Sequence, residues 1–413
     1  MAPAACVLLD RTVFFRDHPL EPEPPVGGRA AAAAAAGVVG STTAAASSDS
    51  DPLRPETREE NIGQYLRAMK PDLRVFDPPK VSCLTLVRPL SSNQPNYGRH
   101  LASGLVAAAS DNLVVIYAGE YRPAASYHGW YLLVDAASSS LSTIPGIPYM
   151  ECSSSTSGGI GTVVMARQGG GSFRSEWGYK EGNLPAQVVY PLTVYKSFSV
   201  QSRNLLCWAD LVHGLLLCDL GRYEVDSSDL GMSFVPLPDS CPLSKKWRSN
   251  PRDIRTMACV DGTIKFLTID GVREGRPISL ITYTLHLDGP SSPTWTQDTV
   301  LRLDDLWADD TFISLGLPQI TPLFPNLSTQ EHDVVYLCIP GDVDLVEGCR
   351  VTRVKAMLSV DTRKTRVISA DQENCPETLL RSRFLISFNA SHQGSKYHQL
   401  MKKVRQHDEI YLS

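Results

Sequence analysis

The chain has 413 residues, 43% hydrophobic and 20% charged, with 39 Lys and Arg against 44 Asp and Glu for a net charge of −5. At roughly 100–200 residues per domain, that length holds a sizeable core in one large domain or in two or three small ones. The charge balance excludes a generally basic nucleic-acid binder and a highly charged disordered chain. No run reaches the roughly 18 apolar residues of a membrane span, and the N-terminus lacks the basic start and apolar stretch of a secretory signal. The expectation is a soluble intracellular protein, cytoplasmic, nuclear or both, with no membrane partner.

Residues 1–20 hold one apolar strand, 6–15 (CVLLDRTVFF), after which residues 21–56 change to EPEPPVGGR, a run of alanines from Ala30 to Ala36 and a Ser/Thr/Ala/Asp tract. The alanines have no amphipathic face and are flanked by Gly27, Gly28, Gly37 and Gly40, so this stretch reads as a disordered, low-complexity linker. Thr57–Lys70 is the clearest helix. Thr57 and Glu60 form a capping box, Ile62, Tyr65, Leu66 and Met69 make one stripe, and Pro71 ends it. Its stripe suits packing on the main domain, or else a partner.

From about residue 75 to 395 the chain is a series of short β-rich runs separated by Gly, Pro, Ser, Asn and Asp, an all-β pattern. Ser279–Leu287 alternates, with Ile281, Tyr283, Leu285 and Leu287 on one face; in Val351–Val360 the shared face is Thr352, Val354, Ala356, Leu358 and Val360. Leu113–Tyr117 and Val334–Ile339 are continuously apolar, as strands buried on both faces are. Turn signals such as Asp261-Gly262 and Asp288-Gly289-Pro290 divide the runs. Residues 396–413 end the chain in a helical pattern, with Tyr397, Leu400, Met401 and Val404 on one stripe and Lys396, Lys402, Lys403 and Arg405 opposite.

An internal echo favours a propeller. His128–Asp135 (HGWYLLVD) is followed by Ile144-Pro145-Gly146-Ile147-Pro148, and His213–Asp219 (HGLLLCD) by Val235-Pro236-Leu237-Pro238. Asp135 and Asp219 are 84 residues apart, and a weaker copy ends at Asp361, a further 142 on. With roughly 40–50 residues per blade these steps correspond to about two and three blades. The expected fold is therefore all-β and β-propeller-like, of about six or seven blades, with one or two peripheral helices. The isolated strand at 6–15 completes the last blade and closes the ring. An irregular pair of β-sandwiches is the alternative.

The stretch Leu205–Asp219 (LLCWADLVHGLLLCD), with Phe234–Pro238, Asp261–Phe266 and Trp295 through Trp307, resembles a plant family known as domain of unknown function 1618, expanded in grasses. The resemblance is densest over residues 200–340. Leu8–Arg11, Val81–Leu86, Gly316-Leu317-Pro318 and Phe324–Ser328 before Asp333–Tyr336 are similar in style. It implies a plant source and a propeller-like body similar to that of F-box-associated proteins, and no established catalytic residues. By this analogy ubiquitin-ligase components are a partner class, although the one N-terminal helix, Thr57–Lys70, is too short for a three-helix F-box.

The ten cysteines are scattered singly, without the CxxC spacing of a zinc or redox site. Cys83, Cys207, Cys218 and Cys338 lie in apolar runs and read as reduced core residues, with a disulfide framework as the rival. The sequons at Asn326 and Asn389 then read as chance matches. Gly158-Gly159-Ile160-Gly161 opens onto a strand, not onto the helix a phosphate loop needs. His392 and His398 lack a ligand register, and His286 reads as a hydrogen-bonded surface histidine. The Asp304–Asp310 cluster is the best cation candidate, but it lacks alternating ligand spacing, so a helix start capped by aspartate with Trp307 packed inward is expected. There is no G-x-S-x-G, and Cys349 has no identifiable partners. The basic Lys245-Lys246-Trp247-Arg248 and the tail are the only nucleic-acid or nuclear-import signals.

No catalytic, cofactor-binding or metal-ligating residue is assigned. The expected function is a non-enzymatic protein–protein interaction scaffold or adaptor. A propeller-type carbohydrate-binding or hydrolytic protein, and a nuclear regulatory protein acting through its basic tail, are the alternatives.

Overall fold

The computed structural model describes residues 6–17, 64–88, 104–110, 112–118, 130–144, 162–163, 184–188, 192–220, 231–241, 250–272, 276–288, 293–346, 349–372, 385–388 and 411–412. The chain begins with β1 (Val7–Asp17), β2 (Lys70–Arg74) and β3 (Ser82–Arg88). Four antiparallel strands follow: β4 (Gly104–Ser110), β5 (Leu113–Ala118), β6 (Trp130–Asp135) and β7 (Ser140–Ile144). After the two-residue β8 (Thr162–Val163) comes a second such unit: β9 (Lys196–Val200), β10 (Leu205–Asp210), β11 (Gly214–Asp219) and β12 (Met232–Pro236). The third is β13 (Arg255–Val260), β14 (Thr263–Asp270), β15 (Ser279–His286) and β16 (Thr294–Arg302). Two short helices, α1 (Leu303–Trp307) and α2 (Asp310–Ile313), lead to the fourth. That unit is β17 (Leu323–Leu327), β18 (Val334–Val346), β19 (Cys349–Asp361) and β20 (Arg366–Asp371). The last strands are β21 (Leu385–Phe388) and β22 (Tyr411–Leu412), the latter paired with β8.

The fifth unit is assembled from both ends of the chain. Val7–Asp10 of β1 pair antiparallel with β21, β1 also pairs parallel with β3, and β3 with β2, in the order β21-β1-β3-β2. Beyond a register shift between Leu9 and Val13, Thr12 and Val13 pair with β4, so the N-terminal strand also bonds the fifth unit to the first. The first strands of the units lie side by side in the cycle β4, β9, β13, β17, β21 and back to β4. The result is an all-β, propeller-like ring closed by the N-terminal strand.

The described residues form five units where the repeat arithmetic led to six or seven. The echoed phrases fall on β6, β11 and β19, each the third strand of its unit. The 84-residue step is therefore one unit and not two, and the 142-residue step is two units and not three. Each four-stranded unit itself spans the roughly 40–50 residues of a blade, and it is the long connections between units, such as 145–195, that lengthen the steps.

Three seams between neighbouring units hold large apolar clusters. Phe266, Tyr283 and Leu285 meet Cys207, Leu215 and Leu217 between the second and third units. Leu267, Leu280 and Leu303 meet Leu327, Leu337 and Leu358 between the third and fourth. Val7, Leu9, Leu84 and Leu86 meet Val106, Ile116 and Leu132 between the fifth and first. Val114 and Ile116 on one face of β5 and Val115 on the other serve different clusters, which is why that run is apolar without alternation. In β19, Ala356, Leu358 and Val360 share a face as expected, but Val354 packs with Met357 on the other side, because the pairing slips between Ile339 and Pro340 and turns the strand.

Residues 64–67 are helical, and Tyr65, Leu66 and Met69 are buried in the cluster between the fifth and first units, so this part of the stripe is core. The helix does not extend to Lys70: Lys70 and Pro71 already belong to β2, paired with Val87 and Leu86. Residues 57–63, the linker at 21–56 and the tail stripe Tyr397, Leu400, Met401 and Val404 lie outside the described residues.

Candidate functional site

Turns from successive units meet on one face of the ring around a cleft of about 620 Å³. The Asp261-Gly262 turn supplies one wall. Both residues have positive φ (44° and 76°), the geometry of a tight primed hairpin turn, and this brings Gly262 against Ser202 of the preceding unit. His332 and Asp333 come from the β17–β18 connection, Arg363 from the β19–β20 turn, and His286–Asp288 from the end of β15. The short 3-10 turn Gln201–Arg203 closes the far side.

The cleft is a ring of paired charges. Lys265, with only 7% of its side chain exposed, holds Asp298 Oδ2 at 3.1 Å and donates to the His332 carbonyl at 3.1 Å. Arg203 grips Asp288 in a two-pronged pair, one arm at 2.6 Å. Arg203 holds the Asp288 carboxyl below its ordinary value, and Asp288 raises Arg203 in turn. Arg363 Nε lies 3.2 Å from Asp333 Oδ2, and His286 Nε2 is 2.8 Å from Thr296 Oγ1. The exposed pairs Arg203–Asp288 and Arg363–Asp333 add little stability, so a partner's charges can replace them at small cost.

A second, smaller pocket of about 50 Å³ sits where the first strands of the units converge. Arg11 of β1, Lys196 of β9, Arg252 before β13 and Arg255 of β13 line it, together with Tyr195, Thr256, Phe324 and Asn326. Lys196 Nζ donates to Thr256 Oγ1 (3.2 Å) and Asn326 Oδ1 (3.4 Å), both neutral. Its ammonium is buried, and that burial, reinforced by Arg252 and Arg11, lowers it to about 8. Arg11 Nε donates to the Val106 carbonyl at 2.9 Å. Arg252 stacks on the Tyr195 ring at 5.3 Å and donates to that residue's carbonyl. Arg255 donates to the Leu211 and Cys241 carbonyls at 3.0 and 2.7 Å, tying the third unit to the second.

Residues 208–336 match the family model described as a protein of unknown function, DUF1618. The matched segment is similar to that family. It lies within residues 200–340, where the resemblance is densest, and runs from β10 to β18. No curated protein matches the sequence. The matched segment thus contributes Lys265, Asp288, Asp298 and His332 to the cleft and Arg252 and Arg255 to the central pocket, while Arg11, Lys196 and Arg363 come from outside it.

Of the residues singled out in the sequence, Asp309 caps α2, its Oδ1 accepting from the Thr311 N–H at 2.9 Å, while Trp307 packs against the core between the third and fourth units. Among the described residues no cluster of three or more His, Cys, Asp or Glu side chains is arranged to hold a metal ion. The described cysteines have free thiols, and burial pushes Cys83, Cys207 and Cys259 up, which keeps them protonated and unreactive. Asn326 is buried in β17 and bonds the Phe324 carbonyl, so its sequon is inaccessible in the folded chain. Cys349 opens β19. Gly158–Gly161, Lys245–Arg248, Asn389, His392, His398 and the tail lysines fall outside the described residues.

Sequence reasoning missed Lys196 and Arg255, although a signal was there. Lys196 continues the face of Phe198 and Val200, and Arg255 that of Met257 and Cys259, all packed in one apolar cluster. A cation in register with an apolar strand face marks an inward-pointing charge.

Proposed function

We propose that this protein is a non-enzymatic interaction scaffold that grips an extended, mixed-charge segment of a partner protein in the face cleft. One observation carries the reading: turns from the second, third and fourth units converge on a cleft of about 620 Å³ lined by three mutually paired cation–carboxylate sets. Ligand pockets of roughly 300–1,000 Å³ hold small molecules by apolar walls with few polar groups. This cleft has the opposite composition, suited to exchanging ion pairs with a polypeptide. The free, buried thiols are consistent with an intracellular site of action, cytoplasmic or nuclear. By family analogy alone, ubiquitin-ligase components of a plant cell are one partner class.

The test is affinity capture with cross-linking from an extract of the source organism, using the full chain, an Arg203→Glu/Arg363→Glu double variant and a control, Lys355→Glu, at an exposed position of β19 outside the cleft lining. A protein captured by the wild type and the control but lost from the double variant supports the reading. Equal capture by all three, or none above an unrelated bait, overturns it.

A further inference from the structure

Lys196 is placed as a neutral amine would be. Its Nζ donates to Thr256 Oγ1 at 3.2 Å and to Asn326 Oδ1 at 3.4 Å, both on buried residues, and no carboxylate among the described residues pairs with it. Two neutral acceptors match the two N–H groups of a free amine and leave its lone pair unused. The titratable groups around it are Cys6 and Arg11 near the start of the chain, Tyr195 beside it, and Arg252 and Arg255 of the third unit. Arg11 and Arg252 are engaged elsewhere, with the Val106 carbonyl and with the Tyr195 carbonyl and ring. Burial, then the charge of Arg252 and Arg11, shifts Lys196 toward its neutral form, so near neutral pH it supplies far more free amine than an exposed lysine does.

The space beside this amine is small. It measures about 50 Å³, and Ala107, Ala108, Leu211 and Phe324 give it apolar walls. A water needs roughly 10–15 Å³ of such space, so a linear molecule of three heavy atoms fits beside Nζ and a branched carbonyl compound does not. Lys196 itself is only partly covered, which gives a small uncharged molecule a way in.

We propose that Lys196 is a carbon dioxide acceptor that forms a carbamate in the axial pocket. The Nζ lone pair attacks the carbon, one C=O electron pair moves onto oxygen, and an N–H proton leaves to water. A neutral amine and carbon dioxide thus become a carbamate anion and one proton. The product removes the ammonium that Arg252 and Arg11 repel, and it needs no hydrogen bond from either. The Thr256 hydroxyl accepts from the amine and can turn to donate to a carbamate oxygen. Asn326 Nδ2 is held by the Phe324 carbonyl at 3.1 Å, which keeps Oδ1 facing the remaining N–H. The site is separate from the face cleft and does not depend on the partner reading.

The experiment is covalent trapping on the full chain. The protein is equilibrated at about pH 8 with isotope-labelled carbon dioxide and bicarbonate, or with nitrogen as the blank. A trialkyloxonium salt then converts any carbamate to a stable ester, which peptide mass spectrometry locates. Lys196 carries the labelled ester at a yield at least about tenfold above that of the exposed Lys364. At fixed dissolved carbon dioxide the yield falls as the pH is lowered from about 8, because protonation removes the nucleophile. Lys196→Arg abolishes the label at this position. Carbon dioxide also raises the melting temperature of the wild type at matched pH and ionic strength, as a ligand of the folded state does, and Lys196→Met removes that response. Label confined to the α-amine and exposed lysines, a Lys196 yield no higher than that of Lys364, or a melting shift that persists in Lys196→Met overturns the proposal.

Discussion

Thr329 Oγ1 donates a hydrogen bond to Cys6 Sγ at 3.3 Å, across 323 residues of sequence. Beside it the fully buried Leu8 packs with Val334 and Tyr336, so the first strand of the chain is anchored on the fourth unit as well as on β21 and β3. Ring closure therefore depends on residues 6–17. Leu8→Ala is expected to lower the unfolding free energy by about 2–5 kcal/mol in urea titration, the cost of a core cavity. Deleting residues 1–16 uncovers the edges of β3 and β21, which favours association between chains, visible by sedimentation together with a lower melting temperature. An unchanged melting curve for the deletion contradicts the closing role.

Asp210 illustrates how the units are held at their turns. It is fully buried, and its carboxylate accepts the Val212 N–H at 2.8 Å, the His213 N–H at 3.2 Å and the Thr193 N–H at 3.0 Å. Asp210→Ala strands these backbone donors in the interior, and roughly 3 kcal/mol of stability is expected to be lost. Asp210→Asn keeps an acceptor oxygen and costs less. Equal losses in chemical denaturation would show that the acceptor is not what matters.

Two glycines separate close packing from mere smallness. A Cβ at Gly214 would collide with the Val235 carbonyl and the Phe234 ring, both on the paired strand β12, whereas one at Gly341 would meet the Arg353 carbonyl and Lys355 Cβ at ordinary contact, 3.4 Å. Gly214→Ala is expected to cost about 1–3 kcal/mol by overpacking. Gly341→Ala is expected to stay within about 0.5 kcal/mol of the wild type. A melting comparison of the two variants decides it, and a Gly214→Ala protein as stable as Gly341→Ala would refute the packing argument.

What was legible in the sequence follows from where the physics is local. Apolar runs such as Leu113–Tyr117 announce strands buried on both sides, and a lone apolar strand at 6–15 needs a distant partner, which β21 provides. The repeat of Asp-ended third strands was legible too, but not its length in blades, because the long connections between units carry no signal of their own. The axial cations were hidden for a different reason. Lys196 and Arg255 become neighbours of Arg11 only when the ring closes and brings β9, β13 and β1 to one axis, a relation between units that no local period encodes.

Lys196 also makes the axis sensitive to pH. Burial, then Arg252 and Arg11, lower it in the folded state to about 8, against 10.5 in the open chain, with Cys6 pulling weakly the other way and Thr256 and Asn326 as its neutral contacts. A cation depressed in the folded state destabilises it fully below pH 8, and the penalty is relieved as pH rises from about 8 towards 10.5, because over that window the unfolded chain holds the extra proton. The penalty at neutral pH is roughly 3 kcal/mol. Lys196→Met is therefore expected to be more stable than the wild type at pH 7. The difference shrinks across that window in paired denaturation curves. A variant less stable at pH 7, or a gap that does not change with pH, shows that the Lys196 ammonium is compensated within the folded chain.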